Sequence, residues 1–87
     1  MNQFEVIKLL SDETRFQMFM KLMDYEELYV SEFLDLLHLK QANVSKHLKK
    51  LRDAEIVEGV REKNLVKYHI KESFLENHLL LIKYLLT

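Results

Sequence analysis

The chain has 87 residues, 48% hydrophobic and 31% charged, with one glycine, no proline, no cysteine and a formal net charge of −1. That length admits a single globular domain with a modest core, and the absence of cysteine excludes disulfides, thiolate metal sites and thiol redox chemistry. No apolar run approaches the ~20 residues of a membrane span, and the start, Met1-Asn2-Gln3-Phe4-Glu5, lacks the basic region and apolar run of a secretory signal, so a soluble, cytoplasmic protein without membrane contact is expected.

Near-neutrality hides a segregated charge. Residues 1–37 carry a net −5, residues 38–71 a net +5 and residues 72–87 a net −1. A basic middle between acidic ends provides the local field that a nucleic-acid partner needs, whatever the total.

In chain order, residues 3–10 place Phe4, Ile7 and Leu10 three apart, with Val6 and Leu9 widening the stripe, which predicts a short, strongly apolar helix. Asp12 suits an N-cap and Glu13 a first turn, opening a second helix to about Tyr25 that turns Phe16, Phe19, Met20 and Met23 inward. Met18, Met20 and Met23 could offer soft-metal ligands, but at helical spacing they read as core filler. Glu26 to Val30 form an acidic connection with a brief extended piece. Ser31 and Glu32 open a third helix with Phe33, Leu34, Leu36 and Leu37 buried, and His38-Leu39-Lys40 is a tight turn without glycine.

Gln41 then starts a helix in which Val44, Leu48 and Leu51 recur at i, i+4 and i+7. Gln41, Asn43, Ser45, Lys46, His47, Lys49, Lys50 and Arg52 lie outside that stripe, with no acid before Asp53. Amide and hydroxyl groups can meet base edges and lysines can meet phosphates, so this face suits a DNA groove. Two short helices joined by a three-residue turn, the second one basic, form the helix-turn-helix pattern over 31–54.

From Ile56 the period changes. Two β-prone runs, Ile56–Arg61 and Leu65–Ile70, flank Glu62-Lys63-Asn64 and predict a two-stranded wing over 56–70, with Asn64 suited to a left-handed turn. Val66, Tyr68 and Ile70 share one strand face; Arg61, Lys63 and Lys67 give the hairpin its cationic tip, and Gly59 eases a bend or bulge. A last helix over 73–86 carries Phe74, Leu75, Leu79, Leu80, Leu81, Ile82, Leu85 and Leu86 on more than one face. Together with the first helix it predicts a self-association surface, with Phe4, Ile7, Phe74, Leu75, Leu79, Ile82 and Leu86 as its contacts, rather than two ends folded back on the monomer. The predicted class is mainly α with a small β-hairpin, in the order α-α-α-α-β-β-α.

Leu9-Leu10-Ser11-Asp12-Glu13-Thr14-Arg15-Phe16 resembles the L-x-D-P-T-R-L motif of ArsR/SmtB-type winged-helix regulators. Gln41 to Val57 is similar to that family's Q-S-T-V-S-x-H-L-x-x-L-x-x-A-G-L-V, and the resemblance covers roughly residues 4–82. The family's proline is Glu13 here, its glycine is Glu55, and its wing-tip glycine is replaced by Lys63 or Asn64. The resemblance implies a homodimer on a pseudo-palindromic double-stranded DNA operator. Gln41, Ser45 and Lys46 would face the major groove, with Asn43 and His47 as lesser candidates, Lys49 and Lys50 beside the backbone, and Arg61, Lys63 and Lys67 reaching from the wing. Arg15 would meet a phosphate or pair with Asp12 or Glu13.

The family's sensor residues are the point of departure. Tyr29 and Ser31 stand where its metal-binding cysteines would be, and neither replaces a thiolate for a soft metal. In its second site, Glu72 could stand for the aspartate, but Phe74 and Leu85 fall at the histidines. His38, His47, His69 and His78 share no i, i+4 pair, so no metal or other cofactor is expected unless histidines join across a dimer. One glycine excludes a glycine-rich phosphate loop, and Ser45 and His47, two apart on a helix, face apart, so no enzyme is expected. The expectation is a sequence-specific DNA-binding repressor; the alternative is a protein-interaction module on a winged-helix scaffold.

Overall fold

The computed structural model describes residues 1–87. Asn2 opens α1 (Gln3–Leu10): its side chain accepts from the Glu5 N–H at 2.9 Å, and the Glu5 carboxylate accepts from the Asn2 N–H at 3.2 Å. This reciprocal pair satisfies two donors that a helix start leaves open. Asp12 caps α2 (Glu13–Tyr25), accepting from the Arg15 N–H at 3.0 Å. Then follow β1 (Glu27–Tyr29), α3 (Val30–Leu37), α4 (Gln41–Asp53), β2 (Val57–Glu62), β3 (Leu65–Ile70), α5 (Glu72–Asn77) and α6 (Leu79–Leu86).

The brief extended piece is a true strand. β1 and β2 pair antiparallel with the two edges of β3, giving the order β1-β3-β2. Leu28, Tyr68 and Gly59 form one row across the inner face, and Glu27, His69 and Glu58 form a row on the outer face. The wing is thereby stitched to the body at its base. α3 begins one residue before Ser31, with the Glu32 carboxylate accepting from the Tyr29 N–H at 2.8 Å.

Sixteen apolar residues, at least one from every element, form one core. Met18 is fully buried and Met20 and Met23 pack beside it, so the methionines are core filler. The expected terminal helix is two helices, broken at His78 (φ −126°, ψ 28°). Phe74 and Ile82 are both core residues, and a straight helix would set positions eight apart about 80° out of line. The break falls between them. Phe74 meets the Phe19 ring edge-on at 6.0 Å.

Glu26, His38, Glu55 and Lys63 have positive φ, and the only glycine does not. The left-handed residue of the hairpin is Lys63 (φ 58°), not Asn64, at the first turn position, where glycine is favoured. Gly59 makes no bulge, because β2 and β3 pair without interruption. A Cβ there would lie 2.5 Å from Val66 Cγ1 and 3.0 Å from Tyr68 Cε1, so Gly59 makes room for its cross-strand neighbours.

Two substitutions should therefore move stability in opposite directions in urea denaturation. Glu55→Gly relieves a left-handed backbone (φ 59°), loses only a 3.7 Å surface contact with Lys71, and should stabilise by about 1 kcal/mol. Gly59→Ala should destabilise by about 1–3 kcal/mol through overpacking.

Candidate nucleic-acid interface

α3 ends at His38, whose left-handed backbone (φ 54°, ψ 45°) turns the chain without glycine, and α4 begins three residues later. Val44, Leu48 and Leu51 are at most 1% exposed and anchor α4 against α2, α3 and β2. At about 100° per residue, Ala42, Lys46 and Lys49 then occupy the middle of the open arc. Gln41 and Ser45 form one flank; Asn43, Lys50 and His47 form the other. All of these are exposed except His47, which is half-buried. Ala42 carries neither a hydrogen-bonding side chain nor a charge, so its residue type alone does not mark it for this face. Its place on the helical wheel between Gln41 and Lys46 was the available signal, and a methyl there is suited to a thymine methyl.

The cations of this surface are not equivalent. Lys46, Lys50, Arg61 and Lys63 form no ion pair, whereas Lys49 lies 2.8 Å from Asp53 one turn on. Lys67 departs furthest from expectation. It sits on the outer face of the sheet, 3.3 Å from Glu27 and 3.5 Å from Glu62, with its ammonium 4.9 Å from the Tyr29 ring centre. The Glu27 carboxylate, followed by the Tyr29 hydroxyl, holds the ammonium well above the usual lysine range. Lys67 thus ties the wing to β1, while Arg61, paired with Val66, belongs to the opposite face. An open groove of about 340 Å³ between Tyr29, Leu34, Gln41, Leu65 and Val66 separates the wing from the start of α4.

His47 and Arg15 meet. Arg15 Nη1 donates to His47 Nδ1 at 3.2 Å, and Arg15 Nε donates to the Leu9 carbonyl at 2.7 Å. Asp12 Oδ2 lies 3.9 Å from the same guanidinium, so the ion pair forms with Asp12 and not Glu13. With its side chain 12% exposed, Arg15 is directed into the fold rather than toward a phosphate. Burial, as the largest influence, holds His47 below its ordinary value; Asp12 opposes it, and Arg15, Lys46 and Lys50 act with it.

On the remaining surface, Phe4 (72%), Ile7 (49%), Leu79 (50%) and Leu86 (42%) are exposed. Phe74 (4%) and Ile82 (2%) are core residues of this chain and leave the expected contact set, and Leu75 packs half-buried against the same core. No group of three His, Cys, Asp or Glu side chains is placed to hold a metal ion. No helix is long and apolar enough to cross a membrane.

The family profile described as "Bacterial regulatory protein, arsR family" matches residues 12–59, more than half of the chain. The chain belongs to the arsR family. Members of this family are DNA-binding transcriptional regulators rather than enzymes, and the helix-turn-helix and wing place this chain in the winged-helix class. Reduced HlyU from Vibrio cholerae is 30% identical, with a TM-score of 0.76, over 92% of this chain and 83% of its own. The transcriptional repressor PagR of Bacillus anthracis is 26% identical, with a TM-score of 0.74, over 90% of this chain and 88% of its own. The transcriptional repressor BigR from Xylella fastidiosa is 28% identical, with a TM-score of 0.73, over 90% and 79%. Among curated proteins there is no significant sequence match.

The Asp12 cap gives this region a measurable acid limit. The Arg15 N–H, as the largest influence, holds the Asp12 carboxyl below its ordinary value of 3.8. A depressed carboxylate stabilises fully above its unfolded value and loses that contribution as pH falls through the lower folded value. Asp12→Ala should cost about 1 kcal/mol at neutral pH. Asp12→Asn, which still caps, should cost less and flatten the acid limb of a stability–pH curve.

Proposed function

We propose that this chain is a cytoplasmic, homodimeric, sequence-specific DNA-binding repressor of transcription without a metal-sensing site. The observation that carries the reading is the open arc of α4. It presents Gln41, Ser45 and Lys46 from a helix whose other side is locked in the core, beside the unpaired wing cations Arg61 and Lys63. Gln41, Ser45 and Lys46 meet base edges in the major groove, Asn43 and Lys50 flank them, and Lys49, Arg61 and Lys63 neutralise phosphates. Repression is supported by the likeness to PagR and BigR, both described as transcriptional repressors.

Dimerisation is supported by the exposed apolar residues of the terminal helices: Phe4 and Ile7 on α1, Leu79 and Leu86 on α6, with Leu80 and Tyr84 each 79% exposed beside them. A dimer reads two half-sites about one helical turn (~34 Å) or a multiple apart. The lack of a metal sensor is supported by the chemistry of the aligned positions. The chain has no cysteine, and the Tyr29 ring already faces the Lys67 ammonium, a cation where a metal ion would need a donor.

Binding to matched and mismatched duplexes separates the proposed roles. Ser45→Ala and Lys46→Ala should each remove about 1–3 kcal/mol of discrimination at one base position. Lys63→Ala should weaken all sequences alike and lower the salt slope by about one. Equal loss of discrimination in all three variants would refute that division. Leu79→Asp should yield a monomer in sedimentation with most of its DNA affinity lost; a monomer of undiminished affinity would refute the dimer.

A further inference from the structure

We propose that Arg15 positions one flank of the recognition helix on DNA by holding His47, so that a proton on His47 breaks that contact, loosens the flank and weakens DNA binding. This rests on the DNA-binding reading above and assigns that interface a chemical control.

Arg15 joins three elements. It sits in the first turn of α2, donates from Nε to the Leu9 carbonyl of α1 at 2.7 Å, and donates from Nη1 to His47 Nδ1 of α4 at 3.2 Å. Its own N–H is fixed by Asp12 Oδ1 at 3.0 Å. A guanidinium only donates and keeps its charge throughout the accessible pH range. His47 Nδ1 must therefore accept, which makes the ring neutral with its proton on Nε2. Protonating Nδ1 would set donor against donor and cation against cation in a half-buried contact. No other side chain hydrogen-bonds His47.

His47 adjoins Lys46 and lies two residues from Ser45, so its ring acts as a strut on the flank of the base-reading arc. The charged groups facing it are Asp12 and Arg15 from α2 and Lys46 and Lys50 from its own helix. Asp12 favours the proton; burial, Arg15, Lys46 and Lys50 oppose it, and together they set the folded value below 6.5. Above 6.5 the contact is intact, and it is lost as pH falls through the lower folded value. A histidine that merely approached a phosphate would behave in the opposite way, because its positive charge would strengthen binding as pH falls.

The test is fluorescence anisotropy on a duplex selected from a random pool by the unaltered protein at about pH 8, followed down to about pH 5.5 at constant ionic strength. Unaltered protein should lose about tenfold in affinity across the window. His47→Gln keeps an acceptor for Arg15 but cannot titrate, so whatever its affinity at pH 8, it should lose little on acidification. Arg15→Met should bind weakly at pH 8 and lack the acid-induced loss, since protonation then breaks no bond. A purely structural role for Arg15 would lower affinity but leave the slope. Affinity that rises on acidification, or a His47→Gln slope equal to that of unaltered protein, would overturn the proposal, even if Arg15→Met fails to fold. Absence of DNA binding at every pH would instead overturn the reading on which it rests.

Discussion

Everything on the exposed side of this molecule depends on three side chains on its buried side. Val44, Leu48 and Leu51 fix α4 against α2, α3 and β2 with essentially no solvent contact. Rolling the helix by even one side-chain position would expose at least one of them, at about 1.5–3 kcal/mol each. The stripe is narrow, so most of the circumference remains open. It is the register of the buried residues that determines which polar residues face outward. Arg15 adds a polar strut at one flank, where the aliphatic contacts alone leave His47 half-covered.

The chain builds its corners with almost no glycine. Positive φ falls on Glu26 after α2, His38 after α3, Glu55 after α4 and Lys63 at the wing tip. These are ordinary places for a left-handed residue, but each carries a Cβ, at a cost of roughly 1–2 kcal/mol. Two of the four, His38 and Glu55, bracket the recognition helix. The only glycine is spent on the inner face of the sheet, where Val66 and Tyr68 crowd the backbone. Tight packing under the wing and strained turns around it are thus features of the same glycine-poor sequence.

How much was legible in the sequence depended on whether the information was local. The i, i+4, i+7 stripe of α4, the Asp12 cap, the three-residue turn and the hairpin all follow from neighbours within a few positions, and the structure has them. Partners distant in sequence were not legible. Lys67 reads as a wing cation until β1 brings Glu27 and Tyr29 beside it. His47 reads as a groove contact until Arg15, thirty-two residues earlier, arrives against its ring. Phe74 and Ile82 read as part of an interface because a terminal helix apolar on more than one face exceeds what a small core can cover; the break at His78 turns both inward and leaves Leu79 and Leu80 outside. Hydrophobicity marked those side chains for burial but could not say in what.

The most direct measurement is a hydroxyl-radical footprint of the protein on a selected duplex, with the complex's mass determined in parallel by sedimentation. Two protected segments related by pseudo-two-fold symmetry, centred about one helical turn or a multiple apart, with two chains per duplex, are expected for paired α4 helices in successive major grooves. A single protected segment bound by one chain, or no protection on any selected sequence, would contradict a dimer that reads DNA through α4.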